Sequence, residues 1–305
     1  MILPISSRAA FRDELLALAK NDKRLIDIEA DLGGQTNQFK AEIPDRYFNM
    51  GIAESASLDI CTGLAKNGLK PVFSTFAPFV ALRAAEHVKL SLAYMHANII
   101  IGSCYGGASG GWFGTTHQSL EDLAIIRALP GIKVACPYGE KETRLTLDHA
   151  VASNDPWYIR LGRNNSYSDI LNVSEFTPYQ WYQPLSTETK VCVVSSGEVA
   201  TDFCTQVAQE KKVAHLHILE SDITSLNKMR LVLEKIKVPI IAVEEHRQFG
   251  SLGTVLKTLN LKSEIISYNV NDKWPIYGGS HYEVLDYLDF SISDLKKQVS
   301  KFLKG

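Results

Sequence analysis

The sequence alternates short apolar runs with stretches of helical spacing, and this rhythm constrains the fold more than any other feature. The apolar run Leu25–Ala30 follows a helical pattern at Ser7–Asn21 and precedes others at Glu54–Asn67 and Pro78–Tyr94. The alternation continues to a last apolar run at Trp157–Leu161. Strands that alternate with helices favour a mostly parallel sheet covered by helices on both faces. The sequence therefore predicts an α/β fold.

A second strand–helix series follows a polar, aromatic stretch that has no periodicity. It begins with the apolar run Lys190–Ser195 and ends with a helical pattern at Ser293–Leu303. The chain has 305 residues, enough for two domains of about 150 residues each. We expect two consecutive α/β domains with mostly parallel sheets, at residues 1–168 and 190–305, joined by a linker at 169–189.

Charge and composition argue against several classes of partner. The formal net charge is −2 and no run of Lys or Arg is present, so nucleic-acid binding is not expected. No apolar run approaches the ~20 residues that span a bilayer, and the N-terminus does not read as a secretory signal. The five cysteines are scattered and never in CxxC spacing. This usage argues against a disulfide framework or a zinc site and indicates a reducing cytoplasm.

Glu54 ends the segment DRYFNMGIAE and stands in the first turn of a predicted helix. A carboxylate there is stabilised by the helix dipole, so Glu54 could simply cap the helix. The alternative is a buried acid at the carboxyl edge of the sheet, where open α/β folds bind ligands. Spacing alone favours the capping role.

Two further segments carry candidate site residues. Phe76 and Phe79 follow a predicted strand, and their rings could enclose a flat heterocycle or simply belong to the core. The segment 102–118 contains six glycines, which let a backbone approach a ligand closely, and it fits neither a Walker loop nor a Rossmann turn. His117 lies near its end, where a structural role and a site role are equally open.

Six segments, in the same order along the chain, resemble transketolases. Those of the first half resemble the pyrimidine-binding domain, and those of the second half resemble the C-terminal domain. The GIAE motif is shared with other thiamine enzymes, whereas STFAPF together with THQSLEDLAIIRALP is specific to transketolases. The segments are ADLGGQTN, DRYFNMGIAE, GLKPVFSTFAPFVALRAAEHV, GTTHQSLEDLAIIRALPGIKVACP, VCVVSSGEVA and IIAVEEHRQFGSLGTV.

The resemblance implies a transferase that moves a two-carbon ketol group from a ketose to an aldehyde with thiamine diphosphate. Glu54 then matches the glutamate that hydrogen-bonds the pyrimidine N1′ and activates the cofactor. Phe79 matches the ring that stacks on the pyrimidine, with Phe76 beside it. His117 matches a histidine that contacts hydroxyls of the donor ketose, and Asp31 an aspartate close to cofactor and substrate.

The resemblance also marks the substrate end of the site. Arg8 and Arg163 match two arginines that hold the terminal phosphate of the substrate, a task suited to guanidinium groups. Their alternative role is surface or interdomain salt bridging. Three positions at this end depart from the family: Phe113 replaces an aspartate that contacts an acceptor hydroxyl, Tyr105 replaces a histidine and Gln35 a serine. Because an apolar ring cannot compensate a hydroxyl for its lost water, we expect an altered acceptor, less hydroxylated or not a standard sugar phosphate.

The Gly-Asp-Gly segment with which thiamine enzymes hold Mg²⁺ and the diphosphate is not found in this sequence. The resemblance therefore implies a partner, an N-terminal transketolase subunit that carries the diphosphate and the metal, in an α2β2 heterotetramer. Two alternatives stay open. One is another thiamine enzyme component, such as the beta subunit of a 2-oxoacid dehydrogenase or a deoxyxylulose phosphate synthase-like chain. The other is a non-catalytic binding homologue.

Overall fold

The computed structural model describes residues 4–32, 37–163, 165–169 and 173–303. No helix in this part of the chain is both long and apolar enough to cross a membrane. The elements of the first half are β1 (Leu25–Glu29), β2 (Tyr47–Asn49), β3 (Lys70–Phe76), β4 (Ile100–Cys104), β5 (Lys133–Ala135), β6 (Trp157–Arg160), α1 (Ser7–Asn21), α2 (Gln38–Glu42), α3 (Glu54–Lys66), α4 (Ala85–Val88), α5 (Asp122–Arg127) and α6 (Gly139–Ala152).

The first sheet has the strand order β2-β1-β3-β4-β6-β5, and every pairing in it is parallel. The strands β1, β4 and β6 are buried along their whole length, as expected where helices cover both faces. The carboxyl ends of all these strands meet at one edge of the sheet. Side chains that follow β1, β3 and β4 are therefore brought close together.

The second half builds a separate sheet with the order β11-β10-β8-β9-β7. Four of its strands are parallel, and β7 pairs antiparallel with β9. The predicted α/β fold with two mostly parallel sheets is confirmed. The elements are β7 (Tyr179–Gln183), β8 (Cys192–Ser196), β9 (Ala214–Ile218), β10 (Ile240–Glu244), β11 (Ile265–Tyr268), α7 (Glu198–Lys211), α8 (Ile223–Lys228), α9 (Arg230–Leu233), α10 (Leu252–Thr258), α11 (His281–Tyr287) and α12 (Ile292–Leu303).

A buried ion pair ties the two halves together. Arg127 of α5 donates to both carboxylate oxygens of Glu244, at 2.7 and 3.0 Å, and Glu244 ends β10 of the second sheet. Both side chains are almost fully buried. Burial alone would raise the pKa of Glu244, but the charge and hydrogen bonds of Arg127 outweigh it and lower that pKa. The pair is therefore ionised and fixes α5 against the second sheet.

Two buried acids, Asp27 and Glu29, lie in β1. Glu29 accepts hydrogen bonds from Arg12 at 2.7 Å and from the Tyr47 hydroxyl at 2.8 Å, so its charge is compensated. Asp27, two residues earlier, has its pKa raised to about 8 by burial and by the neighbouring Glu29 charge. Asp27 is thus protonated in the folded chain at neutral pH.

Because folding keeps this proton on Asp27, we predict that the free energy of unfolding falls as the pH rises. The folded chain keeps a proton on Asp27 up to pH about 8, whereas an unfolded aspartate releases it near its ordinary value of 3.8. Between these values the difference in proton binding costs up to about 1.4 kcal/mol for each pH unit. Asp27→Asn should therefore lose less stability than wild type between pH 5 and pH 8 in urea unfolding. Equal losses in both proteins would contradict the protonated Asp27.

Candidate active site

Glu54 is the first residue of α3 and is only 2% exposed, so it occupies the buried position that one of its two interpretations requires. Its carboxylate does not project into water. Both of its oxygens accept hydrogen bonds from Nη1 of Arg83, each at 2.9 Å. The carboxylate thus lies in a dry environment with the Arg83 guanidinium against it, where electrostatic interactions are stronger than in water.

The partner of Glu54 is a residue that the sequence analysis did not select. Arg83 lies in the π-helical turn Phe79–Arg83 that follows β3, and its guanidinium stacks 4.2 Å from the centre of the Phe79 ring. Such turns are often found at functional sites. Residues four apart share a helix face, so the spacing from Phe79 to Arg83 is the signal that could have identified it.

His117 lies in an aromatic enclosure. The centre of its ring is 5.1 Å from that of Phe79, 5.6 Å from that of Phe76 and 5.0 Å from that of Phe113. Burial lowers the pKa of His117, and the positive charge of Arg83 lowers it further. The imidazole is therefore neutral near pH 7 and can both donate and accept a hydrogen bond.

Tyr105 and Phe113 form the other end of this enclosure. Their rings stack with centres 6.0 Å apart, and the guanidinium of Arg163 lies 5.0 Å from the first and 4.9 Å from the second. Arg8 approaches Tyr105 from another side, at 5.9 Å. Tyr105 is buried with a φ of 63°, a left-handed conformation that a bulky residue rarely adopts and that is concentrated at functional sites.

These contacts join the predicted site residues into one row at the carboxyl edge of the first sheet, which runs from Glu54 through Arg83, Phe79, His117 and Phe113 to Tyr105 and Arg163. Contact along the row is made by side chains alone. The rings of Phe76 and Tyr105 also contact each other, with centres 4.5 Å apart. Because Phe76 ends β3 and Tyr105 follows β4, both strands contribute side chains to the site.

The remaining predicted residues have different outcomes. Asp31 lies two residues after the end of β1, is exposed, and has a left-handed φ of 47°. Gln35 lies outside the described residues. Within the described ranges, no group of three or more His, Cys, Asp or Glu side chains is arranged to hold a metal ion.

Comparison with known proteins identifies the family to which the chain belongs. The family described as transketolase, pyrimidine binding domain, matches residues 4–168. The chain is 29% identical to one subunit of the apulose-4-phosphate transketolase of Phocaeicola vulgatus, over 98% of each chain. It is 26% identical to a protein of Methanocaldococcus jannaschii provisionally assigned as a transketolase C-terminal section, over 97% of this chain and 96% of that one.

A solved structure described as a split gene transketolase, inactive beta4 tetramer, has the same fold. It superposes with a TM-score of 0.84 at 26% identity and covers 99% of each chain. The family match covers more than half of the chain. The two relatives and the solved structure named above match both of its halves. The chain therefore belongs to the transketolase family, and it is similar over its whole length to separately encoded C-terminal sections of transketolases.

Proposed function

We propose that this chain is the C-terminal subunit of a thiamine-diphosphate-dependent split transketolase that transfers a two-carbon ketol group from a ketose donor to an aldehyde. The observation that carries the proposal is the contiguous row from Glu54 through Arg83 and Phe79 to His117. A buried acid, an aromatic ring joined to it through Arg83, and a neutral imidazole next to that ring are the kinds of group that cofactor activation and sugar binding require.

The residues present suit the pyrimidine end of thiamine diphosphate. Glu54 is a buried carboxylate able to hold a proton at a ring nitrogen, and Phe79 offers an aromatic ring, joined to Glu54 through the Arg83 guanidinium that contacts both. When bound, the cofactor supplies the carbanion chemistry that no side chain provides. Arg83, whose side chain is half exposed, bonds both Glu54 oxygens and lies over the Phe79 ring, so it would have to shift for a pyrimidine to take the ring face that it covers.

The substrate end would bind by positive charge and by exclusion of water. His117 would accept or donate a hydrogen bond with a hydroxyl of the donor ketose, because its imidazole is neutral. Arg163 and Arg8 would bind a terminal phosphate, and the aromatic rings beneath them reduce the conformational freedom of the guanidinium groups. The ring of Phe113 closes the acceptor side with an apolar surface.

Phe113 leads to a prediction about acceptor choice. An apolar ring leaves a nearby sugar hydroxyl without a partner, whereas a carboxylate would accept its hydrogen bond. Phe113→Asp should shift the ratio of kcat/KM for ribose 5-phosphate over glycolaldehyde phosphate toward the hydroxylated sugar by about tenfold. Phe113→Leu, which stays apolar, is the matched control and should keep the wild-type ratio. An unchanged ratio in Phe113→Asp would argue against an acceptor altered at this position.

The partner is the second element of the proposal. The likeness, over nearly its full length, to a protein that is itself one subunit of a transketolase supports a complementary N-terminal subunit that holds Mg²⁺ and the diphosphate, most simply in an α2β2 assembly. The gene next to that of this chain is the first place to seek it. The test is to purify the two products together and to measure ketol transfer from xylulose 5-phosphate with thiamine diphosphate and Mg²⁺.

We expect transfer from the mixture and none from either chain alone. Size-exclusion chromatography with light scattering should show one complex containing both chains in equal number. Full activity of this chain without the partner would contradict the split arrangement. A stable complex that binds thiamine diphosphate but transfers no ketol group to any aldehyde would favour a non-catalytic homologue or another thiamine enzyme.

A further inference from the structure

The glycine-rich segment after β4 forms a closed loop. Gly107 and Ser119 pair as an antiparallel bridge, with N–H···O distances of 2.7 and 2.9 Å, and so tie the two ends of the loop together. Phe113 and His117 lie between them and contact each other. The position of this loop, which we call the 107–119 loop, therefore decides where both rings stand.

The second half of the chain holds one end of this loop through Glu245. Oε1 of Glu245 accepts a hydrogen bond from the backbone N–H of Ala108 at 2.6 Å. A Cβ atom at Gly107 would collide with the same oxygen, and the φ of Gly107 is +66°. Only glycine fits this approach, so the sequence of the loop is adapted to the carboxylate of Glu245.

His281 and Arg160 fix the orientation of Glu245. Nε2 of His281 lies 2.6 Å from Oε1 of Glu245, and Nδ1 of the same ring lies 2.8 Å from the amide nitrogen of Asn165. Because an amide N–H donates to Nδ1, the proton of the imidazole is on Nε2 and points to the carboxylate. Arg160 donates to the backbone oxygen of Glu245 at 3.2 and 3.3 Å. The Glu245 and His281 side chains are nearly buried.

The far side of the loop contacts the same half of the chain. The Thr115 hydroxyl donates to the backbone oxygen of Pro275 at 3.1 Å, and Gly279 N–H donates to the backbone oxygen of Gly111 at 3.3 Å. The segment 275–279 is thus in direct contact with the loop close to Phe113. Both contacts come from the domain that carries none of the predicted cofactor-binding residues.

We propose that Glu245 is a positioning residue, which together with His281 sets the place of the 107–119 loop and so the geometry of substrate binding by Phe113 and His117. The effect on substrate binding rests on the proposed function, whereas the contact between Glu245 and the loop does not depend on it. The C-terminal domain would then tune substrate binding without touching the substrate. Cofactor binding should be independent of Glu245, because Glu54 and Phe79 stand on α3 and on the turn after β3.

The test compares Glu245→Gln and Glu245→Ala with Glu244→Gln. Glu244 is the matched control, because it is an adjacent buried carboxylate that also crosses between the halves but bonds Arg127 and the Leu252 N–H rather than the loop. Hydrogen–deuterium exchange of the peptide covering 107–119 is measured on the chain alone. Substrate KM values and the cofactor Kd are measured on the reconstituted enzyme, with xylulose 5-phosphate and glycolaldehyde phosphate.

We expect both Glu245 variants to raise exchange in the 107–119 loop and to raise the substrate KM values by about tenfold, with the cofactor Kd within about twofold of wild type. Glu244→Gln should lower the thermal midpoint and leave loop exchange near wild type. If Glu245→Ala does not fold, loop exchange and substrate KM values in Glu245→Gln decide whether the proposal holds.

Unchanged loop exchange in the folded Glu245 variants would overturn the proposal, and so would an equal rise in Glu244→Gln, which would mean a general loosening of the interface. Equal weakening of cofactor and substrate binding would also overturn it. An enzyme without ketol transfer in its wild-type form would instead refute the proposed function, and the exchange data would still decide whether Glu245 positions the loop.

Discussion

Glu54→Gln is expected to lower the rate of ketol transfer by the reconstituted enzyme by about 100- to 10,000-fold. Glutamine keeps the size of the side chain, and its amide oxygen can still accept a hydrogen bond from Arg83. It cannot share a proton with a ring nitrogen as a carboxylate does, so cofactor activation fails. The rate is measured with saturating xylulose 5-phosphate, thiamine diphosphate and Mg²⁺ in the presence of the partner subunit.

Asp59→Asn is the matched control for this experiment. It removes an acidic group from the same helix α3, but one that is exposed and pairs with His87 outside the row of site residues. Its rate should stay within about twofold of wild type. A Glu54→Gln enzyme with a normal rate would refute the acid role of Glu54, provided that the circular dichroism spectrum and the assembly with the partner are those of the wild type.

Arg127→Leu is expected to reduce the free energy of unfolding by about 3–5 kcal/mol. The change leaves Glu244 buried with no cation against it, and it also removes the bonds from Arg127 to the Ser221 hydroxyl at 2.7 Å and to the Gly250 carbonyl at 3.0 Å. Urea unfolding followed by circular dichroism measures the loss. The pKa of the isolated carboxylate should rise, so the deficit should be smaller at pH 5 than at pH 8.

The double variant Arg127→Leu with Glu244→Leu separates the cost of an unpaired charge from the value of the pair. Apolar replacement of both partners of a buried pair is often nearly neutral. The double variant should therefore be more stable than Arg127→Leu alone. If the second substitution destabilised the chain further, the buried charge would not be the cause of the first loss.

Much of the fold could be predicted because local patterns determine it. The helix Ser7–Asn21 has the predicted bounds, and the helix predicted from Glu54 begins at that residue. The prediction was less accurate where tertiary contacts override the pattern. The helix predicted at Pro78–Tyr94 is interrupted by two π-helical turns, Phe79–Arg83 and Lys89–Tyr94, and periodicity cannot reveal such a change of winding.

The candidate site shows the same division. Glu54, Phe79 and His117 belong to motifs that stand out in the sequence, so their selection needed no structure, and their catalytic roles stay predictions. Arg83 and Glu245 were not selected because their importance lies in contacts across 29 and 137 positions of the chain. An isolated charged residue on a helix or at a strand end has many structural uses, and only the fold shows which carboxylate or amide it reaches.

The strand β7 has a consequence for dissecting this protein. Residues 179–183 fall in the stretch predicted as a linker, yet they form the outer strand of the second sheet and cover β9, which is fully buried. A fragment that begins at residue 190 would leave the backbone groups of β9 unpaired along an open sheet edge, a surface prone to intermolecular pairing and aggregation. Autonomous expression of the C-terminal domain therefore requires a fragment that starts before Tyr179.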